Sequence, residues 1–246
     1  MKKRSRFLLP LVLLMMVLMA GAACAAPRLS TRAISLYKYE EPRFVDDGYS
    51  MTKKSVFYDS YGEEIAVTGV SKKAKVSTYS KKFMVEGGYD RSKGKYTFVV
   101  NPKWTDTSQV KVKPGKYPLT VKIKDRGKTY SYKITAIVRN YLPRCISYLK
   151  VGNKIYRSAF RKRNAGYITM ILPKGKKKIS FACPSGFVKV SGENSFEIIR
   201  SGDIIGCYKM GDKVTLKKGD ILGLHYSNNP LAIQYNVFYV FYIKVK

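Results

Sequence analysis

Histidine and tryptophan each occur once in this chain, at His225 and Trp104, and acidic residues number 16 against 47 lysines and arginines. Each scarcity closes off chemistry. With one imidazole there is a single histidine base for a Ser-His-Asp or Cys-His arrangement, and His225 sits inside an apolar stretch where a core or rim imidazole is the expected role. Zinc needs three or four His, Cys or carboxylate ligands, and one histidine with scattered cysteines does not supply them. The glycine patterns of a P-loop or a dinucleotide-binding turn are absent too. No catalytic residue, metal or cofactor is therefore expected.

Few as they are, the acids occur partly as neighbours: Glu40-Glu41, Asp46-Asp47 and Glu63-Glu64. Paired carboxylates are all that a sugar-cleaving enzyme needs, so a carboxylate-dependent glycan-active enzyme is the one catalytic class left open. Adjacent residues on a strand point to opposite faces, however, so none of these pairs converges by spacing alone.

Cysteine is sparse as well. Cys24 lies in the N-terminal segment, which leaves Cys145, Cys183 and Cys207. Three thiols allow at most one internal disulfide, and no Cys-x-x-Cys motif is present. The simplest expectation is three buried thiols acting as small hydrophobes.

Basic charge is abundant from the first residues. Lys2, Lys3, Arg4 and Arg6 precede an apolar run, Phe7 to Ala20, interrupted by Pro10, and small residues follow up to Ala23-Cys24-Ala25. A charged start, an apolar centre and an A-x-A site are the layout of a secretory signal peptide, with the mature chain beginning at Ala26. The apolar stretch through Ala26 is also long enough for a retained signal anchor. Gly21-Ala22-Ala23-Cys24 resembles a bacterial lipoprotein box, which implies lipidation at Cys24. All three fates put the rest of the chain outside the cytoplasm, secreted or at the cell surface.

The first 25 residues carry four basic and no acidic residues, so the remainder keeps a net charge of +27. A field of that sign attracts polyanions: nucleic acid, a teichoic-acid-like cell-wall polymer or an anionic glycan. The basic residues also cluster. Lys72, Lys73 and Lys75, Lys81 and Lys82, Arg161, Lys162 and Arg163, and Lys174, Lys176, Lys177 and Lys178 all fall at expected turns or strand ends, where several side chains can meet one polymer. Twenty tyrosines add aromatic faces suited to sugars or bases, although most stand at alternating strand positions that clad a sheet.

Period-two alternation dominates from about residue 57, and no amphipathic helix competes with it. Leu119, Val121 and Ile123 alternate with Thr120, Lys122 and Lys124, while Tyr130, Tyr132, Ile134, Ala136 and Val138 face one way beyond an Asp125-Arg126-Gly127 turn. This is a half-buried hairpin. Shorter strands are expected at 65–70, 74–79, 83–86 and 96–100, and, beyond a linker at 141–144 that contains Pro143, at 146–151, 167–172, 178–183, 187–190, 196–199, 214–216 and 221–226. The last segment is apolar on both faces, from Tyr235 to Val245, as in a central strand covered twice.

The stretch VKPGKYPLTVKIKDRGKTYSYKITAIV, residues 112–138, resembles the last two strands of a bacterial immunoglobulin-like surface domain, and the resemblance spans 57–140. It implies a β-sandwich with an adhesive or spacer role and brings no catalytic residues. VTLKKGDILGLHY, residues 214–226, together with the aromatic final strand, resembles the end of a C1q or tumour-necrosis-factor-like jelly roll. The expected protein is all-β: a signal peptide at 1–25, a lead segment at 26–56, an immunoglobulin-like sandwich at 57–140, the linker, and a second sandwich or jelly-roll-like domain at 145–246. The expected function is an exported, non-enzymatic binding module for anionic polymer, with a ligand-free structural spacer as the alternative.

Overall fold

The computed structural model describes residues 26–45, 48–105, 109–228 and 239–246. The signal peptide with Cys24, the Asp46-Asp47 pair and the first half of the closing apolar segment lie outside the described residues. What is described is all-β and sandwich-like, as the alternation implied. Its helical content is two single 3-10 turns, Ser158–Phe160 and Gly192–Asn194.

Nine strands build the first sandwich: β1 (Arg28–Leu29), β2 (Ala33–Val45), β3 (Gly48–Asp59), β4 (Ile65–Thr68), β5 (Lys75–Thr78), β6 (Phe83–Asp90), β7 (Lys95–Pro102), β8 (Gly115–Asp125) and β9 (Lys128–Arg139). One sheet has the order β1-β4-β7-β6 and the other β3-β2-β9-β8-β5. Ile65, Val67, Phe83, Tyr96, Phe98 and Val100 from the first meet Ile34, Leu36, Val121, Ile123, Ile134 and Ala136 from the second in one core. The β8–β9 hairpin closes through Arg126 and Gly127, both at positive φ (48° and 77°). That is the two-residue turn whose twist matches the strands it joins, and it fixes their register.

Residues 26–56, read from the sequence as a lead, supply β1, β2 and most of β3. β2 runs parallel to β9, pairing Ala33 with Thr135 through Tyr37 with Arg139. Beyond Tyr37 it leaves β9 and continues with β3 alone, which is why Pro42 and its missing N–H are tolerated in mid-strand.

The second sandwich comprises β10 (Tyr148–Val151), β11 (Lys154–Tyr156), β12 (Tyr167–Met170), β13 (Lys176–Ala182), β14 (Val188–Lys189), β15 (Phe196–Arg200), β16 (Asp203–Tyr208), β17 (Lys213–Thr215), β18 (Ile221–Ser227) and β19 (Tyr239–Val245). Its sheets have the orders β11-β10-β13-β17 and β12-β19-β18-β15-β16, with β14 also on β18. Leu149, Val151, Ile179 and Phe181 pack against Phe196, Ile198, Leu222, Leu224, Phe241 and Ile243. Leu142, inside the expected linker, is buried in the same cluster.

β18 and β19 are covered on both sides. The far ends of β2 and β3 fold over the outer face of the six-stranded sheet, where Tyr39, Tyr49 and Tyr167 pack on Ile199, Ile221 and Tyr242. Tyr39 Oη donates to the Val240 carbonyl (2.6 Å), and the Glu40 amide donates to the Ala165 carbonyl (2.7 Å). The loop after β3 completes the junction. Tyr61, held at a φ of 56°, enters the second core and stacks on Tyr239 with ring centroids 4.3 Å apart. Its carbonyl accepts from Asn228 Nδ2 (2.5 Å).

The three thiols are free. Cys145 is buried and Cys183 half-buried, and loss of water pushes the Cys183 thiol up to about 12. Cys207 departs from the expectation of burial: it is exposed, because β16 is the edge of its sheet.

Candidate polyanion-binding face

Strand alternation, rather than sequence runs, decides which lysines come together. In β13, Ile179 and Phe181 point into the core, so Lys176, Lys178 and Ser180 point to water. On the neighbouring β10, Leu149 and Val151 are buried and Lys150 projects outward opposite Ser180. On the other side β17 buries Val214 and turns Lys213 outward, directly opposite Lys178. The β10–β11 turn adds Lys154 and brings Gly152 close to the Lys177 stem.

These residues form an open groove of about 580 Å³, lined by Lys150, Lys154, Lys176, Lys177, Lys178 and Ser180 among others. The lining contains no carboxylate. Among the described residues no ion pair engages these lysines. Like charges directly opposite on adjacent strands destabilise a sheet. A bound polyanion relieves that repulsion, and five ammonium groups with no internal counter-charge are suited to phosphate, sulfate or carboxylate repeats.

The other predicted residues are placed elsewhere. Lys174 is exposed in the loop before β13, adjacent to the groove. Arg161, Lys162 and Arg163 follow the first 3-10 turn, and Lys162 and Arg163 line a separate depression of about 470 Å³ with Ser158, Asn164, Ile168 and Thr169. Arg163 lies 4.4 Å over the Tyr141 ring and donates to its hydroxyl. The lysine groove and this depression share no lining residue, so the two runs do not form one site.

Lys72 and Lys73, with Lys81 and Lys82, belong to the loops around β5 in the first sandwich, and Lys75 is the first residue of β5. Lys72 lies over the Tyr89 ring (4.9 Å) and Lys82 over Tyr117 (5.7 Å). Lys75 stands opposite Lys124, and Lys122 lies 4.5 Å over the exposed Tyr79 ring. Lys122 and Lys124 were legible as outward positions of the alternation, and Lys150 and Lys154 as the residues flanking a Gly152-Asn153 turn. Neither set forms a run, so clustering along the chain passed over both.

The carboxylates are dispersed. Glu40 pairs with Lys38 and Lys54, Glu64 with Lys93 and Lys95, and Glu63 accepts from the Ser35 amide and Tyr37 Oη. Glu41, on β2, is half-buried, and desolvation raises its carboxyl above the usual range. His225 is 3% exposed, with Nδ1 2.7 Å from the Asn194 carbonyl and Nε2 3.4 Å from Glu197 Oε2. It lines neither the lysine groove nor the depression beside Arg163.

No protein-family model matches this chain, and no curated protein matches it. Among solved structures it is similar to domains 5–6 of the S-layer protein SbsC, at 14% identity, with 89% of this chain and 96% of that chain covered. The TM-score is 0.25, too low to define a shared fold.

Proposed function

We propose that this chain is an exported, non-enzymatic module of the cell surface or its surroundings that holds anionic polymer in the lysine groove of the second sandwich. The observation that carries the reading is the groove itself: five lysines from β10, β11 and β13 line it without a carboxylate among them. The rest of the second sandwich is basic too, with nineteen basic and five acidic residues after position 140. Export rests on the basic and apolar N-terminal segment, and the resemblance of residues 57–140 to bacterial immunoglobulin-like surface domains agrees with it. Contacts of this kind position a polymer through its charge and read little of its sequence.

The test is binding of residues 26–246, which hold both described cores complete, to duplex DNA and to heparin across a salt series. For duplex DNA, log K should fall against log salt with a slope near −0.9 per phosphate neutralised. Changing Lys176, Lys177 and Lys178 together to Gln should reduce that slope by about one unit for each phosphate no longer neutralised. The same change at Lys72, Lys73 and Lys75 should do less. Equal losses from both sets would mean diffuse attraction and no site, and a folded protein that ignores every polyanion at low salt would leave the spacer reading.

A further inference from the structure

We infer that the outer face of β5, β8 and β9 in the first sandwich is a second binding surface, separate from the lysine groove, and that its ligand is an acidic polysaccharide. Val121, Ile123 and Ile134 of these strands are in the core, so the residues alternating with them stand on the outer face. Strand pairing arranges those residues in rows. Lys75, Lys124 and Thr129 form one row across the three strands, and Ser77, Lys122 and Ser131 form the next. Thr120 and Lys133 follow, with Tyr79 beyond the end of β5 on the same side, its ring under Lys122. Each row sets an ammonium group beside a hydroxyl. From strand rise and spacing the rows cover about 10 by 14 Å, and Lys116 extends the basic face to about 27 Å along β8.

The patch has no counter-charge of its own. Asp125 is the one acid in the three strands, and it is buried and held by Ser71, whose amide and hydroxyl both donate to it. Among the described residues no ion pair engages Lys75, Lys116, Lys122, Lys124 or Lys133. Lys75 and Lys124 stand directly opposite each other, an arrangement that costs stability until an anion is bound.

Tyr79 gives the patch its second chemistry. Its ring is 80% exposed, more than any other large hydrophobic side chain among the described residues. Lys122 Nζ lies 4.5 Å over one side of the ring, a contact that steadies it and leaves the other side to solvent. A ring presented in this way has an apolar face and a polar tip, which suits the C–H face of a sugar.

Three features together select the ligand. The ammonium groups take carboxylate or sulfate, the exposed hydroxyls of Ser77, Thr120, Thr129 and Ser131 both donate and accept as sugar hydroxyls do, and Tyr79 covers a sugar ring. Nucleic acid uses such a face less well. In duplex DNA the bases are stacked on one another and leave Tyr79 nothing to cover, and a single strand is held by a succession of aromatic platforms where this face has one. The surface shares no residue with the groove of the second sandwich, so it stands whether or not the groove binds.

The test is calorimetric titration of residues 26–246 at low salt with polygalacturonate, dextran sulfate, neutral dextran and a single-stranded thymidine oligomer. It is run in the wild type and in the protein with Lys176, Lys177 and Lys178 changed to Gln, which removes the groove. Both proteins should bind the acidic polysaccharides and ignore neutral dextran, the tighter of the two acidic polymers showing whether carboxylate or sulfate is preferred. In the groove-free protein Tyr79→Ala should weaken binding about fivefold and Tyr79→Phe less than about twofold. Lys122→Gln combined with Lys124→Gln and Lys133→Gln should weaken it at least about tenfold, while Lys72→Gln with Lys73→Gln should change it less than about twofold. Tyr79 is exposed, so its replacement should leave the melting temperature within about 2 °C. Unchanged binding in Tyr79→Ala overturns the inference, as does neutral dextran bound as tightly as the acidic polymers, or a thymidine oligomer bound more tightly than either. Loss of DNA binding on changing the groove lysines reads the groove, and loss of polysaccharide at Tyr79 reads this face, so the two cannot be confused.

Discussion

Replacing Tyr61 with alanine should destabilise the second sandwich although the residue lies, by chain position, in the first. Tyr61 is 5% exposed and has Tyr239, Tyr226, Phe187 and Tyr37 rings within 4.3–6.3 Å. Removing a buried aromatic side chain of this kind costs about 3–5 kcal/mol, the lost transfer energy plus the cavity left behind. The positive φ is not relieved by alanine, so that cost is not offset. At roughly 2–4 °C per kcal/mol for a chain of this size, the melting temperature should fall by on the order of 10 °C.

The single tryptophan makes the loss separable. Trp104 lies in the first sandwich, half-exposed beside Phe57, with ring centroids 5.8 Å apart, so its fluorescence reports on that half alone. Far-ultraviolet circular dichroism reports on both. In urea the two signals should coincide for the wild type and separate for Tyr61→Ala, with part of the dichroism lost before the fluorescence changes. Tyr61→Phe keeps the ring and should stay within about 1 kcal/mol of wild type. Coincident transitions in Tyr61→Ala, with a loss under about 1 kcal/mol, would refute the view that this residue ties the halves together.

Two further outcomes follow from buried charge. Asp220 is 2% exposed and holds Arg200 through two hydrogen bonds, so Arg200→Met leaves a buried carboxylate without its cation; a loss of about 3–5 kcal/mol is expected in urea titration, and Asp220→Asn combined with it should recover part. Burial raises the carboxyls of Glu41 and Asp59 above their unfolded values, so as pH climbs from about 4 the unfolded chain releases these protons before the folded one does. Their contribution to stability is fully present below the unfolded value and is lost as pH rises through the folded one. Glu41→Gln should therefore gain on wild type between pH 4 and 7 in thermal melts, and an unchanged difference across that range would contradict the assignment.

The parts of the fold that were legible in the sequence are those with one face in a core and one in water. β8 and β9 show this plainly: Leu119, Val121 and Ile123 are buried and their neighbours are not, so a period of two is written into the residues. β2 breaks that rule because two partners cover it. Ile34, Ser35 and Leu36 are buried in succession, and Tyr39 and Glu41 beyond them serve the other sandwich, so no alternation marks the strand. β16 escaped notice for the opposite reason, since an exposed edge imposes little pattern. For the groove, the run from Lys174 to Lys178 was visible, while Lys150, Lys154 and Lys213 arrive by strand pairing, which sequence proximity does not encode. The same limit explains why Lys162 and Arg163, the latter only eleven residues before Lys174, line a different depression.

The hairpin that folds from β2 and β3 over β18 and β19 also bears on how such a chain can be cut and recombined. Proline at position 143 invites a cut there, yet neither fragment would be a self-sufficient unit. An N-terminal piece would carry Tyr39, Tyr49 and Tyr61 into solvent with nothing to cover them, and a C-terminal piece would expose Ile199, Ile221 and Tyr242 and lack a ring from its core. Gene segments that shuffle freely encode modules whose contacts stop at the linker. Here the contacts cross it twice, so the two halves are heritable only together: a substitution on the hairpin is constrained by residues some 160 to 200 positions away, and a graft of either sandwich onto another protein must bring its neighbour or rebuild the covered face.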